Sequence, residues 1–419
     1  MGEDYNPPRG TRDIYGDLAE IYRYLFEVFA ETASRNGFKL IITPTIEYFK
    51  LFEAKSGEEI KNSMYVFEDK AGRKLALRPE VTASVIRAFL RHMRAEPRPL
   101  RLYYISQCFR YEEPQYARYR EFWQAGLEVI GEPDVNADIA VAFTASSFLE
   151  KMGVKHYYVY GNVAIYRALM NGLGIPHEAQ DHILHLIDKD RASEALREVE
   201  SLVGERGVEI FETVMTSTPD KLEPLLGDLR DILGDSYEKV VAEQRRVVEF
   251  ADTLKELGYV ATYDPKLVRG LAYYTGLIFE YKTEKMGVSI GGGGRYDGLT
   301  TVYGGPYEYS TGLALGVDRI ALTLQNLGVT PAVPESHIVI VLGNTPLHIG
   351  YKVAKRIESE GKTVVVYKAS SLSKALEYAD KKEFTKAWII GEKELRSGKA
   401  VLKNLKTWEQ EEVDLSSYL

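Results

Sequence analysis

Between Leu102 and Ile130 the residues alternate in character along two consecutive stretches, and a period of two restricts this part of the chain to a pair of β-strands. In the second stretch Trp123, Ala125, Leu127 and Val129 form an apolar parity against Arg118, Arg120, Phe122, Gln124, Gly126 and Glu128. In the first, Tyr103, Ile105, Phe109 and Tyr111 oppose Ser106, Cys108, Arg110 and Glu112. Paired strands that bury one face and show Arg, Glu and Gln on the other form a platform able to hold a charged ligand. An antiparallel sheet with one solvated face gives the same alternation, and these residues alone leave both readings open.

The flanking sequence predicts an α+β fold. Leu18, Ile21, Tyr22, Leu25, Phe29 and Thr32 recur at helical spacing, so residues 17–36 form an amphipathic helix that Asn36 and Gly37 end. A short apolar strand over 38–43 stops at Pro44, which has no N–H to donate to a ladder. Residues 75–80 read as another strand end and 81–94 as the helix after it. From about 166 to 259 the pattern becomes helical, and alternation returns at 273–282 and 288–290, so a helical domain interrupts the sheet. A Pro-rich linker over 330–335 leads to apolar strands at 337–342, 363–367 and 387–390, separated by helices at 346–359 and 371–381. That order predicts a small parallel α/β domain. The expected domains are therefore 1–165 with 260–330, an insertion at 166–259, and a C-terminal module at 335–419.

The net charge of −8 over 419 residues argues against wholesale polyanion binding, but the charge is uneven. Residues 335–408 hold 14 Lys+Arg against 8 Asp+Glu, a basic module that could face nucleic acid or could be a solvated surface. One cysteine, Cys108, excludes an internal disulfide and fits a reducing compartment. No apolar run is long enough to span a bilayer, and the first residues have neither a basic nor an apolar leader, so the expectation is a cytoplasmic protein with no membrane partner. His177, His182 and His185 cluster without an acid or thiol at ligand spacing, which predicts no metal site built from protein alone.

The run Gly291 to Gly294, followed by Arg295-Tyr296-Asp297, is neither a phosphate loop nor a dinucleotide fingerprint. It would let a ligand approach the backbone, but on spacing it reads more readily as a permissive turn between strand and helix. Residues 311–319 pass from small residues and apolar strand into a helix carrying Arg319. With Arg110, Arg118 and Arg269 that makes four guanidinium groups available to a polyphosphate, although each arginine alone is more often in a surface ion pair.

These segments together resemble the three motifs of class II aminoacyl-tRNA synthetases. The helix, Gly37, the strand and Pro44 are similar to the first, which builds a homodimer interface in that family. Phe109-Arg110-Tyr111-Glu112, the turn, and Arg118 to Phe122 are similar to the second, and Gly312 to Arg319 to the third. Within the class, residues 267–276 (Leu-Val-Arg-Gly-Leu-Ala-Tyr-Tyr-Thr-Gly), the glycine run with Arg295-Tyr296-Asp297, residues 8–13 and residues 77–82 resemble histidyl-tRNA synthetases. The resemblance covers essentially the whole chain. It implies the class II antiparallel sheet with flanking helices, a helical insertion, and a C-terminal α/β anticodon-binding domain.

The activity so implied is histidine–tRNA ligation in two steps, from histidine and ATP to histidyl-adenylate and then to the 3′ end of tRNA(His). Arg110 and Arg269 would be catalytic at the α-phosphate. Arg110, Glu112, Arg118, Phe122 and Arg319 would bind ATP, with Mg2+ bridging phosphate oxygens. Glu80, Thr82, Gln124, Glu128, Arg269, Tyr273, Tyr274 and Tyr296 would bind histidine, the first three at its amino group. Gln115 would contact the tRNA acceptor stem. The family has an acid where this chain has Ala272, and its terminal helix has little room after the strand at 400–405. The nearest alternative is the synthetase-like regulatory subunit of ATP phosphoribosyltransferase, which shares the catalytic fold but lacks the anticodon-binding module. Another class II synthetase, for glycine, threonine or proline, fits Arg269 to Tyr274 and the glycine run less well.

Overall fold

Ile21, Tyr22, Leu25 and Phe29 are buried along one side of the helix Asp17–Arg35, whose first turn holds Asp17 and Glu20 and whose last holds Arg35, charges that suit its dipole. Gly37 follows in the left-handed region at φ +81°. The structure is a computed structural model that describes residues 5–54, 62–268, 273–283, 289–329, 331 and 335–419. Arg269 and Ala272, both singled out by the sequence, lie outside these described residues. The chain divides into two units, one up to Thr330 and the other from Pro331.

In the first unit the strands are β1 Lys39–Leu40, β2 Ile46–Tyr48, β3 Val66–Glu68, β4 Lys74–Leu77, β5 Leu100–Phe109, β6 Glu121–Ile130, β7 Tyr157–Asn162, β8 Ala261–Tyr263, β9 Leu277–Lys282, β10 Ser289–Arg295 and β11 Ser310–Gly316. An eight-stranded sheet has the order β1-β5-β6-β11-β10-β9-β7-β8. From β5 to β7 its neighbours run antiparallel, while β1 on β5 and β8 on β7 pair parallel. The late strands β9 to β11 thus lie between β6 and β7, which places residues some two hundred positions apart side by side. A three-stranded antiparallel sheet, β2-β4-β3, stands beside it.

On β6 the predicted apolar parity is buried, but on β5 the expectation is reversed: Ser106 and Cys108 are buried, the latter in a second core with Leu102 and Tyr104, while Ile105 and Phe109 are only partly covered. Ala125, Leu127 and Val129 of β6, Leu313 and Leu315 of β11, and Phe279 and Tyr281 of β9 share a core with the helices Asp17–Arg35, Asn136–Lys151 and Val317–Asn326. Each such large side chain contributes about 1.5–3 kcal/mol by burial. Helices from Val163–Gly172 to Tyr237–Glu256 leave the sheet after β7 and return before β8, with their own core around Leu169, Ile183, Phe211 and Val214.

The second unit pairs β12 Ser336–Leu342, β13 Thr363–Ala369, β14 Lys386–Ile390, β15 Lys399–Asn404 and β16 Gln410–Asp414 in the order β13-β12-β14-β15-β16. Val339 and Val341 pack under the helix Leu347–Ser359, and Ile338 and Ile340 under Leu372–Lys381. Covering both faces explains the unbroken apolar run of β12.

Three further sequence expectations change. The C-terminal sheet is mixed, because β15 runs antiparallel to β14 and β16 antiparallel to β15. The five residues between β15 and β16 are too few for the crossover that parallel pairing needs. The glycine run is the interior of β10, paired on both sides, and not a turn. Finally, regular pairing of β5 ends at Phe109 and that of β6 starts at Glu121, so Arg110, Glu112, Arg118 and Arg120 belong to the connection.

Candidate active site

Register determines the other face of the sheet. Cys108, Ser106, Tyr104 and Leu102 of β5 stand opposite Phe122, Gln124, Gly126 and Glu128 of β6. Glu128, Gly126 and Gln124 in turn stand opposite Gly312, Ala314 and Gly316 of β11, and Gly294 and Gly292 of β10 stand opposite Gly312 and Ala314. The middle of this face therefore has almost no side chains. The gaps are also filled from the sides: a Cβ on Gly126 would collide with the Tyr104 ring, and one on Gly312 with the Glu128 carboxylate. Above the bare floor lies a cleft of about 480 Å3.

Arg110, Arg118 and Arg319 reach this cleft together with Phe122 and Glu112. Arg110 is held at its backbone by the carbonyl of Arg120 at 2.8 Å and through Nε by the carbonyl of Pro79 at 2.9 Å. Its guanidinium lies 5.3 Å from the centre of the Phe122 ring. Arg118 and Glu112 form an ion pair across the connection, in which Gln115 and Arg118 pair their backbones and Ala117 adopts φ +60°. Gln115 therefore marks the turn and is not among the residues lining the cleft. Arg319 donates from Nη1 to the Ser289 carbonyl.

The other wall is delivered by the end of β4. Arg78 is buried and donates to the carbonyls of Gln107 at 2.6 Å and Thr43 at 2.9 Å, which ties the Arg78-Pro79-Glu80 segment to the main sheet. Glu80 then caps the helix Thr82–Ala88, accepting from the Ala83 N–H at 3.0 Å. Burial pushes its carboxyl above the usual range, against the opposing pull of that N–H and of Arg110. Glu80, Thr82, Gln124, Tyr273, Tyr274 and Tyr296 line the cleft.

Glu128 stands one layer behind. It is fully buried, accepts from Thr82 Oγ1 at 2.7 Å and from the Tyr296 hydroxyl, and is not part of the lining. Burial pushes its pKa up to about 8, and the two hydroxyl donors only partly offset that. Gln124 receives a hydrogen bond from the Cys108 thiol at 3.2 Å. Tyr296 is held in place by its neighbour Arg295, whose buried guanidinium makes a bidentate pair with Asp138 at 2.7–3.0 Å.

Several residues that the sequence reading did not assign also bear on the site. Asp318 accepts from Arg12 at 2.6 Å, Tyr22 at 2.7 Å and the Trp123 N–H at 2.7 Å, joining the N-terminal segment, the first helix and β6 beside Arg319. Its place directly before Arg319, within the segment Gly312 to Arg319, was the available signal. Tyr104 belongs to the polar parity of β5, and Glu280 of β9 faces the same cleft. Asp188 and Lys189 reach it from the helical block, and nothing local in their sequence points there.

An antiparallel sheet with arginines from two distant segments over one bare face, and a buried helix start opposite them, is the catalytic architecture of the class II aminoacyl-tRNA synthetases. The family profile for histidyl-tRNA synthetase matches residues 10–320, and that for the anticodon binding domain matches 337–419. The chain belongs to the histidyl-tRNA synthetase family, and so to the aminoacyl-tRNA ligases. It is 39% identical over 415 residues to a protein of Saccharolobus islandicus (strain M.16.27) named histidine–tRNA ligase, covering 98% of this chain and 96% of that one. A protein of the same name from Saccharolobus solfataricus is 38% identical over 417 residues, covering 98% and 97%. Among solved structures, apo histidyl-tRNA synthetase of S. aureus superposes with a TM-score of 0.74 at 26% identity over 98% of each chain. A Bacillus halodurans C structure, titled an ATP phosphoribosyltransferase regulatory subunit/histidyl-tRNA synthetase, superposes with a TM-score of 0.74 over 93% of this chain and 99% of that one. At 20% identity it shows the fold alone.

Proposed function

We propose that this chain is a histidine–tRNA ligase acting through histidyl-adenylate. The histidine carboxylate attacks the α-phosphorus of ATP, forming the acyl phosphate bond as the bond to pyrophosphate breaks. A 3′-terminal hydroxyl of tRNA(His) then attacks the acyl carbon and AMP leaves. Both steps gather negative charge on phosphate, where preorganised cations accelerate most. Arg110 serves the α-phosphate, held on its line by Pro79, and Arg269 serves the opposite side. Arg319 takes the γ-phosphate and Arg118 a further phosphate oxygen, with Glu112 orienting Arg118. The adenine ring lies against Phe122. The glycine floor lets these groups rest on main chain.

Histidine's ammonium is received by Glu80, Thr82 and Gln124, and its ring by Tyr274 and Tyr273, with Tyr296 and the buried Glu128 behind. The phenols of Tyr273 and Tyr274 pair the ring nitrogens, Glu128 acts only through Tyr296, and a substrate lacking those nitrogens would leave the phenols unpaired. Among the described residues no three His, Cys, Asp or Glu side chains stand together as a metal site. The carboxylates Glu112 and Glu280, which line the cleft, would hold a phosphate-bound magnesium ion, which would neutralise phosphate charge.

Gln115 in the exposed turn contacts the acceptor stem, and the basic module from 335 reads the anticodon, with 166–259 as an insertion in the catalytic domain. A homodimer is supported by exposed apolar side chains along β1 to β3, among them Ile42 at 82% exposure, Leu40, Tyr48 and Phe67. The chain works in the cytoplasm, where its substrates are.

The observation that carries this reading is the convergence of Arg110, Arg118 and Arg319 on the cleft that also holds Glu80, Gln124 and Tyr274. Exchange of labelled pyrophosphate into ATP, measured across all amino acids, tests it. Exchange with histidine alone is expected. No exchange at saturating histidine, ATP and magnesium would favour a histidine-sensing regulatory subunit instead.

A further inference from the structure

Residues 8–13 lie against the connection between β5 and β6, and none of them lines the cleft. The Gly10 carbonyl accepts the Arg120 N–H at 2.8 Å, an approach so close that a Cβ on Gly10 would strike the Arg120 side chain. Arg120 is itself fixed to the far end of the connection, lying over the Tyr111 ring at 3.8 Å and donating from Nε to the Glu112 carbonyl at 3.0 Å. Arg9 pairs with Glu113 at 2.7 Å, but both are exposed and such a pair contributes little.

Arg12 reaches further. Its Nη2 donates to Asp318 Oδ1 and to the Tyr22 hydroxyl, each at 2.6 Å, and its guanidinium carbon lies 3.4 Å from the centre of the Tyr119 ring. Tyr119 follows Arg118 and Asp318 precedes Arg319, so one side chain grips the chain neighbour of each of two phosphate arginines from distant segments. Tyr119 and Asp318 line the cleft, whereas Arg12 stands behind them. A lysine ammonium would keep the charge but lacks the planar fork that spans carboxylate, hydroxyl and ring together. We propose that Arg12 is a positioning residue for the nucleotide: it touches no substrate, and by tying Tyr119 to Asp318 it holds Arg118 and Arg319 at a fixed separation across the phosphates. This rests on the assignment of those two arginines to ATP. Asp318 keeps the Trp123 N–H and the Tyr22 hydroxyl, each at 2.7 Å, when Arg12 is replaced, so the fold survives the change.

The test replaces Arg12 in the full chain and reads ATP affinity by calorimetry and amide hydrogen exchange without ligand. Arg12→Lys should weaken ATP about tenfold and speed exchange of the Arg120 amide, which Gly10 protects, while histidine affinity and exchange in the helix Asp17–Arg35 stay as in the parent. Tyr119→Leu should weaken ATP to a similar degree, and adding Arg12→Lys to it should cost nothing more, because both remove one contact. ATP affinity in Arg12→Lys equal to that of the parent, additive losses in the double variant, or a parallel loss of histidine affinity overturns the proposal. Neither readout needs turnover, so a parent inactive in pyrophosphate exchange would sink the ligase reading and still leave Arg12 to be judged by these measurements.

Discussion

Thr82 donates its hydroxyl to Glu128 Oε1 at 2.7 Å, joining the start of a helix to the middle of β6 through a carboxylate that no water reaches. With its pKa raised to about 8, Glu128 holds an extra proton in the folded chain between its ordinary range and that value. The stabilisation is complete below about pH 4.5 and is lost as pH rises through about 8. Denaturant unfolding of the protein without substrates should therefore show stability falling across this window by an amount on the order of a few kcal/mol. Glu128→Gln should flatten that slope; an unchanged slope would assign the titration to other groups.

Arg110→Ala and Arg319→Ala should each lower histidine-dependent pyrophosphate exchange about 100-fold to 1,000-fold while histidine affinity, read by calorimetry, changes far less. Equal losses in both measurements would mean that these arginines hold the site together and do not serve the phosphates.

Gly126→Ala should destabilise the fold by about 1–3 kcal/mol, because the new methyl meets the Tyr104 ring inside a paired strand. The companion Gly126→Ala, Tyr104→Phe protein should recover little, since the ring itself is in the way; Tyr104→Ala should recover more. Melting temperatures of the series decide the order.

Asp138→Ala leaves the fully buried Arg295 without its bidentate partner and should cost about 3–5 kcal/mol. Because Tyr296 follows Arg295 directly, the KM for histidine should rise as well. A variant of normal stability would show that the carbonyls of Glu132 and Asp134, which already accept from Arg295, suffice to hold it.

Side-chain alternation made β6 readable and showed β5 to be a strand, but on β5 polarity did not tell the buried face, because Ser106 and Cys108 are covered by a second core while Ile105 and Phe109 are only partly buried. Glycines announce nothing, which is why the run Gly291 to Gly294 reads as a turn until its pairing with β9 and β11 is seen. Strand direction was equally silent in the C-terminal unit, where apolar runs look alike whether parallel or antiparallel. Arg110, Gln124 and Arg319 could be picked out because they lie in stretches with local pattern. Asp318 as a junction, and Asp188 and Lys189 as wall residues, depend on partners scores of positions away and leave no local trace.

A floor made of main chain cannot be retuned one residue at a time. Any side chain at Gly312 would add atoms against Glu128 and swap no contact for another, so the base of the cleft is fixed by geometry and only its rim, built of side chains, can be altered piecemeal.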